Sequence, residues 1–255
     1  MNLTFNWKKT VIILVDCILA VYLVLAITAF NCPDELSDVC TEVNIHIENG
    51  RAKGFLNTNE IERQLKTAHL YPLGDLMKQV DVRKIEEALR QNPLVDGAQC
   101  YKTQTGRVNI IVSQRVPVIR IKAENGDDYY IDEGGNIMPN THYANNVVVA
   151  TGAIQRKYAQ NTLKDIGSYL LSHQLWRSQV EQINVLADGS IEIIPRVGDH
   201  IVYFGLPTSI DKKFDRLEKF YKYGLSKAGW NKYSYISLEF SNQIICKKRT
   251  STNNI

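Results

Sequence analysis

Residues 11–30 read VIILVDCILAVYLVLAITAF, and this apolar run decides where the rest of the chain is placed. Twenty residues in a helix match the hydrocarbon thickness of a bilayer, and only Asp16 carries a charge. A cleaved signal peptide has a shorter apolar core followed by a small-residue cleavage site, which this run lacks. The sequence therefore predicts an uncleaved transmembrane helix over 11–30.

The charges on the two sides of this run predict its orientation. Lys8 and Lys9 precede it, whereas residues 31–42 contain four acidic residues and no basic one. The positive-inside rule then predicts a cytoplasmic tail over 1–10, a connector over 31–42, and the remaining chain on the outer side of the membrane. Asp16 has two interpretations, a polar contact with another membrane helix or a carboxylate that reaches back to the interface.

The composition is that of a globular protein that does not bind nucleic acid. Among 255 residues, 44% are hydrophobic and 22% charged, with a net charge of +3. This charge is too small, and too little interleaved with aromatic residues, to indicate a nucleic-acid partner. On the outer side, Cys32, Cys40, Cys100 and Cys246 allow three disulfide pairings. A local Cys32–Cys40 disulfide and unpaired thiols both remain open.

Residues 43–121 show the pattern of a small α+β domain. An alternating strand over 43–48 is followed by two short amphipathic helices and a hairpin over 94–114, which gives the order β-α-α-β-β. With Gly106-Arg107-Val108 and Arg115-Val116-Pro117, this order resembles a POTRA domain, a module that holds other chains. Alternatively, Arg115 and Pro117 are a surface charge and the end of an edge strand. The expected core comprises Val43, Ile45, Ile61, Leu65, Ile85, Leu89, Val108, Ile110 and Val112.

Residues 122–248 predict a mainly antiparallel β domain. Short strands punctuated by Gly and Asp turns read as a meander, and two helices over 158–175 and 211–223 flank it. Residues 249–255 are expected to form a flexible tail. The predicted fold class is therefore α+β, with a transmembrane helix, a POTRA module and a β domain in that order.

This whole plan resembles the FtsQ/DivIB family of bacterial cell-division proteins. The firmest stretches are 85–117, 131–135, 198–205 and 233–248. The family usually carries an Asp-Leu-Arg-Tyr-like run, where this chain has Ser237-Leu238-Glu239-Phe240 and so differs in two charges. The resemblance implies a non-enzymatic scaffold of the division machinery in the cytoplasmic membrane, at the septum. Its partners would be FtsB-like and FtsL-like proteins, with no cofactor and no small-molecule substrate.

The last strand, predicted over 243–248, is the candidate partner-binding site. No later strand can cover it, so its free backbone groups invite an extended segment to join the sheet. In the family the terminal strand binds FtsB in this way. The alternative is a hairpin covered by another strand of the same chain. The predicted site residues are Phe240, Gln243, Ile244, Ile245, Cys246 and Lys247, with Lys212, Lys213 and Arg216 available to an acidic partner.

The sequence lacks the motifs that enzymes of the cell envelope use. There is no His-Glu-x-x-His helix and no Gly-x-Ser-x-Gly elbow, so we expect no catalytic site. One acidic group has two interpretations. It is a functional site, either a carboxylate pair or a cation site, or it is a charged, solvated turn; its members are Asp127, Asp128, Asp132 and Glu133. Two alternative functions are a POTRA protein of outer-membrane assembly or secretion and an anchored cell-wall enzyme.

Overall fold

The computed structural model describes residues 7–30, 39–48, 56–140 and 147–250. Its first element is helix α1 (Trp7–Phe30), whose side chains are described at Trp7 and over 11–27. In this described part of the chain, no helix combines the length and the apolarity needed to cross a membrane. The helix predicted over 11–30 is confirmed, whereas its transmembrane character is not. Most of the connector predicted over 31–42 lies outside the described residues.

The first folded unit is a three-stranded sheet covered by two helices. Strand order is β1-β3-β2, with β1 parallel to β3 and β2 antiparallel to it. The chain order β-α-α-β-β is the predicted one. The elements are β1 (Glu42–Glu48), α2 (Thr58–Thr67), α3 (Val82–Arg90), β2 (Val95–Lys102) and β3 (Arg107–Gln114).

Capping side chains begin both helices. Asn57 Oδ1 accepts a hydrogen bond from the backbone N–H of Glu60 at 2.8 Å, and Asp81 Oδ1 accepts from those of Arg83 and Lys84. The helices bury their apolar stripes against alternate residues of β3, as expected. Two predicted core residues of β1, Val43 and Ile45, are only partly buried. The fully buried members of the predicted core are Ile61, Leu65, Ile85, Leu89, Val108, Ile110 and Val112.

Helix α3 also closes the outer edge of β2. Glu86 Oε1 accepts the backbone N–H of Cys100 at 2.8 Å, and Arg90 Nη2 donates to the carbonyl oxygen of Ala98 at 2.9 Å. These are backbone groups that a neighbouring strand would otherwise satisfy. A Glu–Arg pair at i, i+4 therefore occupies part of the β2 edge.

The second unit is a nine-stranded mixed sheet with the order β12-β11-β10-β9-β8-β7-β4-β5-β6. Three of its eight strand pairs are parallel, namely β4–β7, β7–β8 and β10–β11. The strands are β4 (Pro117–Ala123), β5 (Asp128–Asp132), β6 (Ile137–Pro139), β7 (Val148–Gly152), β8 (Val180–Val185), β9 (Ile191–Pro195), β10 (Ile201–Gly205), β11 (Tyr233–Ser237) and β12 (Ile245–Lys248).

The parallel pairs correct the predicted antiparallel meander. Helical segments connect β7 to β8 and β10 to β11, and a helical crossover returns the chain in the same direction as before. The local alternation of apolar residues marks a strand but not its direction. The apolar pattern therefore predicted most strands and the helices, but it did not predict β4 and did not identify the helical connections as crossovers.

Both flanking helices are interrupted, whereas the sequence predicted each as one continuous element. The first comprises α4 (Arg156–Tyr158), a π-helical turn π1 (Ala159–Leu163), α5 (Lys164–Ser172) and α6 (Gln174–Gln179). The second comprises α7 (Ile210–Phe220), a π-helical turn π2 (Tyr221–Leu225) and α8 (Ser226–Ala228). Each π-helical turn carries two buried residues, so the wider turn keeps the apolar side directed at the sheet.

The two units join through the β5–β6 hairpin. Tyr130 and Met138 of the large sheet are buried in the core of the three-stranded unit. Arg115, which follows β3, places Nη1 2.6 Å from Oδ2 of the buried Asp132 at the end of β5. Arg115 is therefore an internal ion-pair partner and not a surface charge. Pro117 is buried and begins β4, an internal strand, so it does not end an edge strand.

Asp132 is held ionised in this joint. Burial acts to raise the pKa of its carboxyl group, but hydrogen bonds from Asn136 and Arg115 outweigh it and hold the pKa below its usual range. The Asn136 backbone N–H donates to Oδ1 at 2.7 Å, and the Arg115 guanidinium completes the set. The ionised Asp132 keeps these hydrogen-bond donors only while the two units remain in contact, so separating the units is unfavourable.

Removing the arginine should loosen the joint. We expect Arg115→Met to lower the free energy of unfolding of fragment 39–250 by about 2–3 kcal/mol, because a buried carboxylate loses a charged donor. Urea unfolding measures the loss. The matched control is Arg107→Met, whose pair with Glu42 is about half exposed on both sides and should contribute under about 1 kcal/mol. Equal losses for the two variants would contradict the assignment of the joint.

Candidate partner-binding site

The terminal strand β12 lies at an edge of the large sheet. It pairs with β11 in antiparallel register, and no other strand in the described residues pairs with its outer side. The alternative of a covering strand therefore finds no support in the described part of the chain. The strand begins two residues later than predicted, so Gln243 and Ile244 lie in the loop that leads into it. Phe240 lies in the same loop and is exposed.

The side chains of β12 alternate between the core and solvent. Ile245 is 47% exposed and Lys247 is exposed, whereas Cys246 packs partly buried against the core. Ile244 also packs against the core, so the apolar surface predicted over 244–246 reduces to Ile245. The backbone N–H of Arg249 donates to the carbonyl oxygen of Lys232. Because N–H groups alternate along a strand, that of Cys246 points away from β11.

Arg216 fixes the loop that precedes β12. From α7, its Nη2 donates to the carbonyl oxygen of Leu238 at 2.9 Å, and its Nη1 donates to those of Phe240 and Gln243. The sequence predicted this guanidinium as a charge available to an acidic partner. The structure engages it with three carbonyl groups, so its role here is to position the loop.

Arg249 fixes the other end of the strand. Its Nη1 lies 2.7 Å from Oδ2 of Asp199, and its Nη2 donates to the Asp199 carbonyl oxygen. Its Nε donates to the carbonyl oxygen of Asn231. Arg249 was predicted to belong to a flexible tail, and this role was not predicted. We call Arg216 and Arg249 the two arginine clasps of β12.

Lys213 was predicted to face a partner, and this was wrong. Its Nζ donates to the carbonyl oxygens of Phe204 and Leu206, at 2.7 Å each, and its side chain is buried. Burial lowers the pKa of Lys213, and the nearby Arg216 charge acts in the same direction. The residue lies on the inner side of α7 beside Phe214, where the end of β10 leaves carbonyl groups to satisfy. Lys212 is exposed, as predicted.

A buried polar pair lies beneath the Arg249 clasp. His200 Nε2 is 3.0 Å from the hydroxyl oxygen of Tyr221, and both residues are buried. His200 Nδ1 is buried without a hydrogen-bond partner among the described residues. Burial lowers the pKa of His200, and the charge of Arg249 adds to this, against the opposing charge of Asp199. The imidazole is therefore held neutral.

Three of the four acidic residues considered above, Asp127, Asp128 and Asp132, are each paired with an arginine. Arg156 binds Asp127 at 3.1 Å, and Arg120 binds Asp128 at 2.9 Å, while Asp132 belongs to the joint described above. Within residues 7–30, 39–48, 56–140 and 147–250, no three His, Cys, Asp or Glu side chains group as a metal site would require. Ion pairs are thus the observed state of these three carboxylates.

The cysteines remain thiols where they are described. Cys40 and Cys100 are buried in the small unit, and Cys246 is partly buried. Burial raises the pKa of Cys100 to about 12. Cys32 lies outside the described residues, so the Cys32–Cys40 pairing stays a prediction.

The charge state of His200 predicts how stability depends on pH. The folded chain binds a proton at His200 less readily than the unfolded chain, so this contribution is complete above about pH 6.5 and is lost as pH falls below it. We expect the melting temperature of fragment 39–250 to fall less steeply between pH 7.5 and 5 in His200→Gln than in the parent. His46→Gln, at an exposed residue of β1, should leave the slope unchanged. Identical slopes in parent and His200→Gln would contradict this assignment.

Comparison with known proteins gives two matches. Residues 116–247 match the family described as "FtsQ/DivIB, C-terminal related". Residues 38–113 match the POTRA-like domain. The two matches meet where β3 ends and β4 begins. No curated protein matches the chain.

Proposed function

Because the chain belongs to the FtsQ/DivIB family, we propose that it is a non-enzymatic scaffold of bacterial cell division that binds other division proteins through the edge strand β12. The family and the POTRA-like domain support a role in cell division, and both are typically non-enzymatic. The observation that carries the proposed site is the outer edge of β12 between its two arginine clasps, which no strand of the described residues pairs. Membership of this family favours division over outer-membrane assembly and over cell-wall hydrolysis.

The proposed mode of binding is strand addition. An extended segment of an FtsB-like partner pairs with β12 through backbone hydrogen bonds, and an FtsL-like protein joins the same complex. The clasps support this mode because they hold the loop before the strand and the residue after it. Little conformational entropy is then lost from this side of the interface when the partner binds.

Exposed side chains around β12 would add selectivity. Ile245 offers an apolar contact on the strand and Phe240 offers one on the loop, both exposed by more than 40%. Lys247 on the strand and Lys212 on α7 supply positive charge that suits an acidic partner. These contacts lie beside the backbone edge and would select among extended segments.

We also propose that the chain is anchored in the cytoplasmic membrane through 11–30, with its N-terminus in the cytoplasm. The apolar run and the Lys8–Lys9 flank support this arrangement. The two folded units would then lie on the outer side, at the division septum. Partners that carry extended segments on that side could reach β12.

Proline on β12 tests strand addition directly. Cys246→Pro removes an N–H that faces outward, so we expect the isolated FtsB-like segment from the same bacterium to bind at least about tenfold more weakly. Cys246→Ala removes the side chain but keeps the N–H, and should bind like the parent. Circular dichroism confirms that both variants are folded. A folded Cys246→Pro variant with parental affinity would exclude this mode.

Localisation tests the role in division. A fluorescent fusion of the full chain should form a band at mid-cell in dividing cells, because a division scaffold assembles at the septum. Depletion of the protein should yield unseparated filaments. An even signal over the whole envelope, with normal division on depletion, would count against the proposal.

A further inference from the structure

Three exposed apolar side chains lie together where the chain enters the three-stranded unit. Val39 is 43% exposed, Leu73 is 51% exposed and Leu76 is 41% exposed. Val39 and Leu76 pair directly in an isolated antiparallel bridge, and Leu73 lies in the same loop as Leu76. We call these three residues the entry patch. Single exposed apolar residues are ordinary, but three on one short loop and its bridge partner form a surface.

The loop that carries the entry patch is held by backbone hydrogen bonds. Cys40 donates its N–H to the carbonyl oxygen of Asp75 at 2.8 Å, and Gly74 donates to that of Cys40 at 2.9 Å. A third bond joins the Asp75 N–H to the carbonyl oxygen of Pro72. Cys40 and Met77, adjacent in sequence to the patch, are buried. Cys40 and Met77 therefore fill the neighbouring positions in the core, and the side chains of the entry patch remain at the surface.

The patch lies close in sequence to the apolar helix α1. Eight residues, 31–38, separate Phe30 from Val39. Nine Cα–Cα steps span at most about 30 Å, even when fully extended. A helix α1 placed in a bilayer would therefore hold Val39 and its bridge partner Leu76 within that distance of the membrane.

Charged groups of both signs border the patch, since Asp38 and Glu42 flank Val39 in sequence. Lys78 is exposed on the same loop, and Lys102 donates its Nζ to the carbonyl oxygen of Met77 beneath it. Asp75 is the acidic residue between Leu73 and Leu76. Interfacial segments place apolar side chains below the lipid headgroups, so docking here rests on the exposed apolar side chains and the short link to α1.

We propose that the entry patch docks onto the membrane surface, with Leu73 and Leu76 inserted at the level of the lipid headgroups. This rests on the anchoring proposed above for 11–30 and adds a second contact with the bilayer. Anchoring at one point would leave the first folded unit free to rotate. Docking at the patch fixes one face of that unit towards the lipid and so orients the rest of the protein.

Photo-crosslinking in a bilayer tests the docking. The full chain is reconstituted in nanodiscs of phosphatidylethanolamine and phosphatidylglycerol, with a benzophenone amino acid at position 73. The matched control carries it at position 197, because Val197 is also 51% exposed and lies in the turn between β9 and β10. We expect lipid adducts at position 73 to exceed those at position 197 by about tenfold in mass spectrometry.

The possible outcomes separate this inference from the anchoring. Retention of the chain in the nanodisc with equal lipid adducts at both positions would overturn the docking and leave the anchoring intact. Release of the chain from the nanodisc would overturn both. Adducts at position 73 to a second copy of the chain would assign the patch to self-association instead. In a docked protein, Leu76→Asp should reduce the lipid adducts at position 73 severalfold, whereas Leu206→Asp, at an exposed leucine in the loop after β10, should not.

Discussion

The ion pair between Arg115 and Asp132 is the constraint on which the arrangement of the two sheets depends. It joins the end of β3 to the end of β5, and Tyr130 and Met138 enter the core of the small unit beside it. The β5–β6 hairpin thus contributes to both cores. A buried carboxylate without its arginine is strongly unfavourable, so the pair penalises any separation of the units. The entry patch and the edge strand β12 therefore lie on one connected body.

Local patterns were enough to predict most elements and the core of the small unit. Apolar spacing identified Ile85 and Leu89 on one helix face, and alternation identified Val108 and Ile110 on β3. The direction of the strands in the large sheet was not predictable in this way, because it depends on the side on which the connecting helices pack. The π-helical interruptions of those helices were not predicted for a similar reason, because they depend on how each helix packs against the sheet.

The edge strand that forms the candidate site was predicted from the sequence, whereas the positions of its side chains were predicted only in part. The position of β12 at the end of the chain indicated an edge. The contacts that shape it join residues far apart in sequence, such as Arg216 with Phe240 and Arg249 with Asp199. No local pattern reveals such contacts. Lys213 looks like an exposed residue of an amphipathic helix, but carbonyl groups at the end of β10 hold it inside.

The Glu86–Arg90 pair on α3 has a consequence for the order of folding. It caps backbone groups on β2 that lie only 14 and 8 residues away in sequence. Contacts of short sequence separation form early, because little chain has to be ordered to bring their ends together. The capped side of β2 is therefore expected to close before strands that are distant in sequence, such as β10 and β11 of the large sheet, pair. During this interval a nascent chain exposes less free strand edge to its neighbours, which lowers its tendency to aggregate before folding is complete.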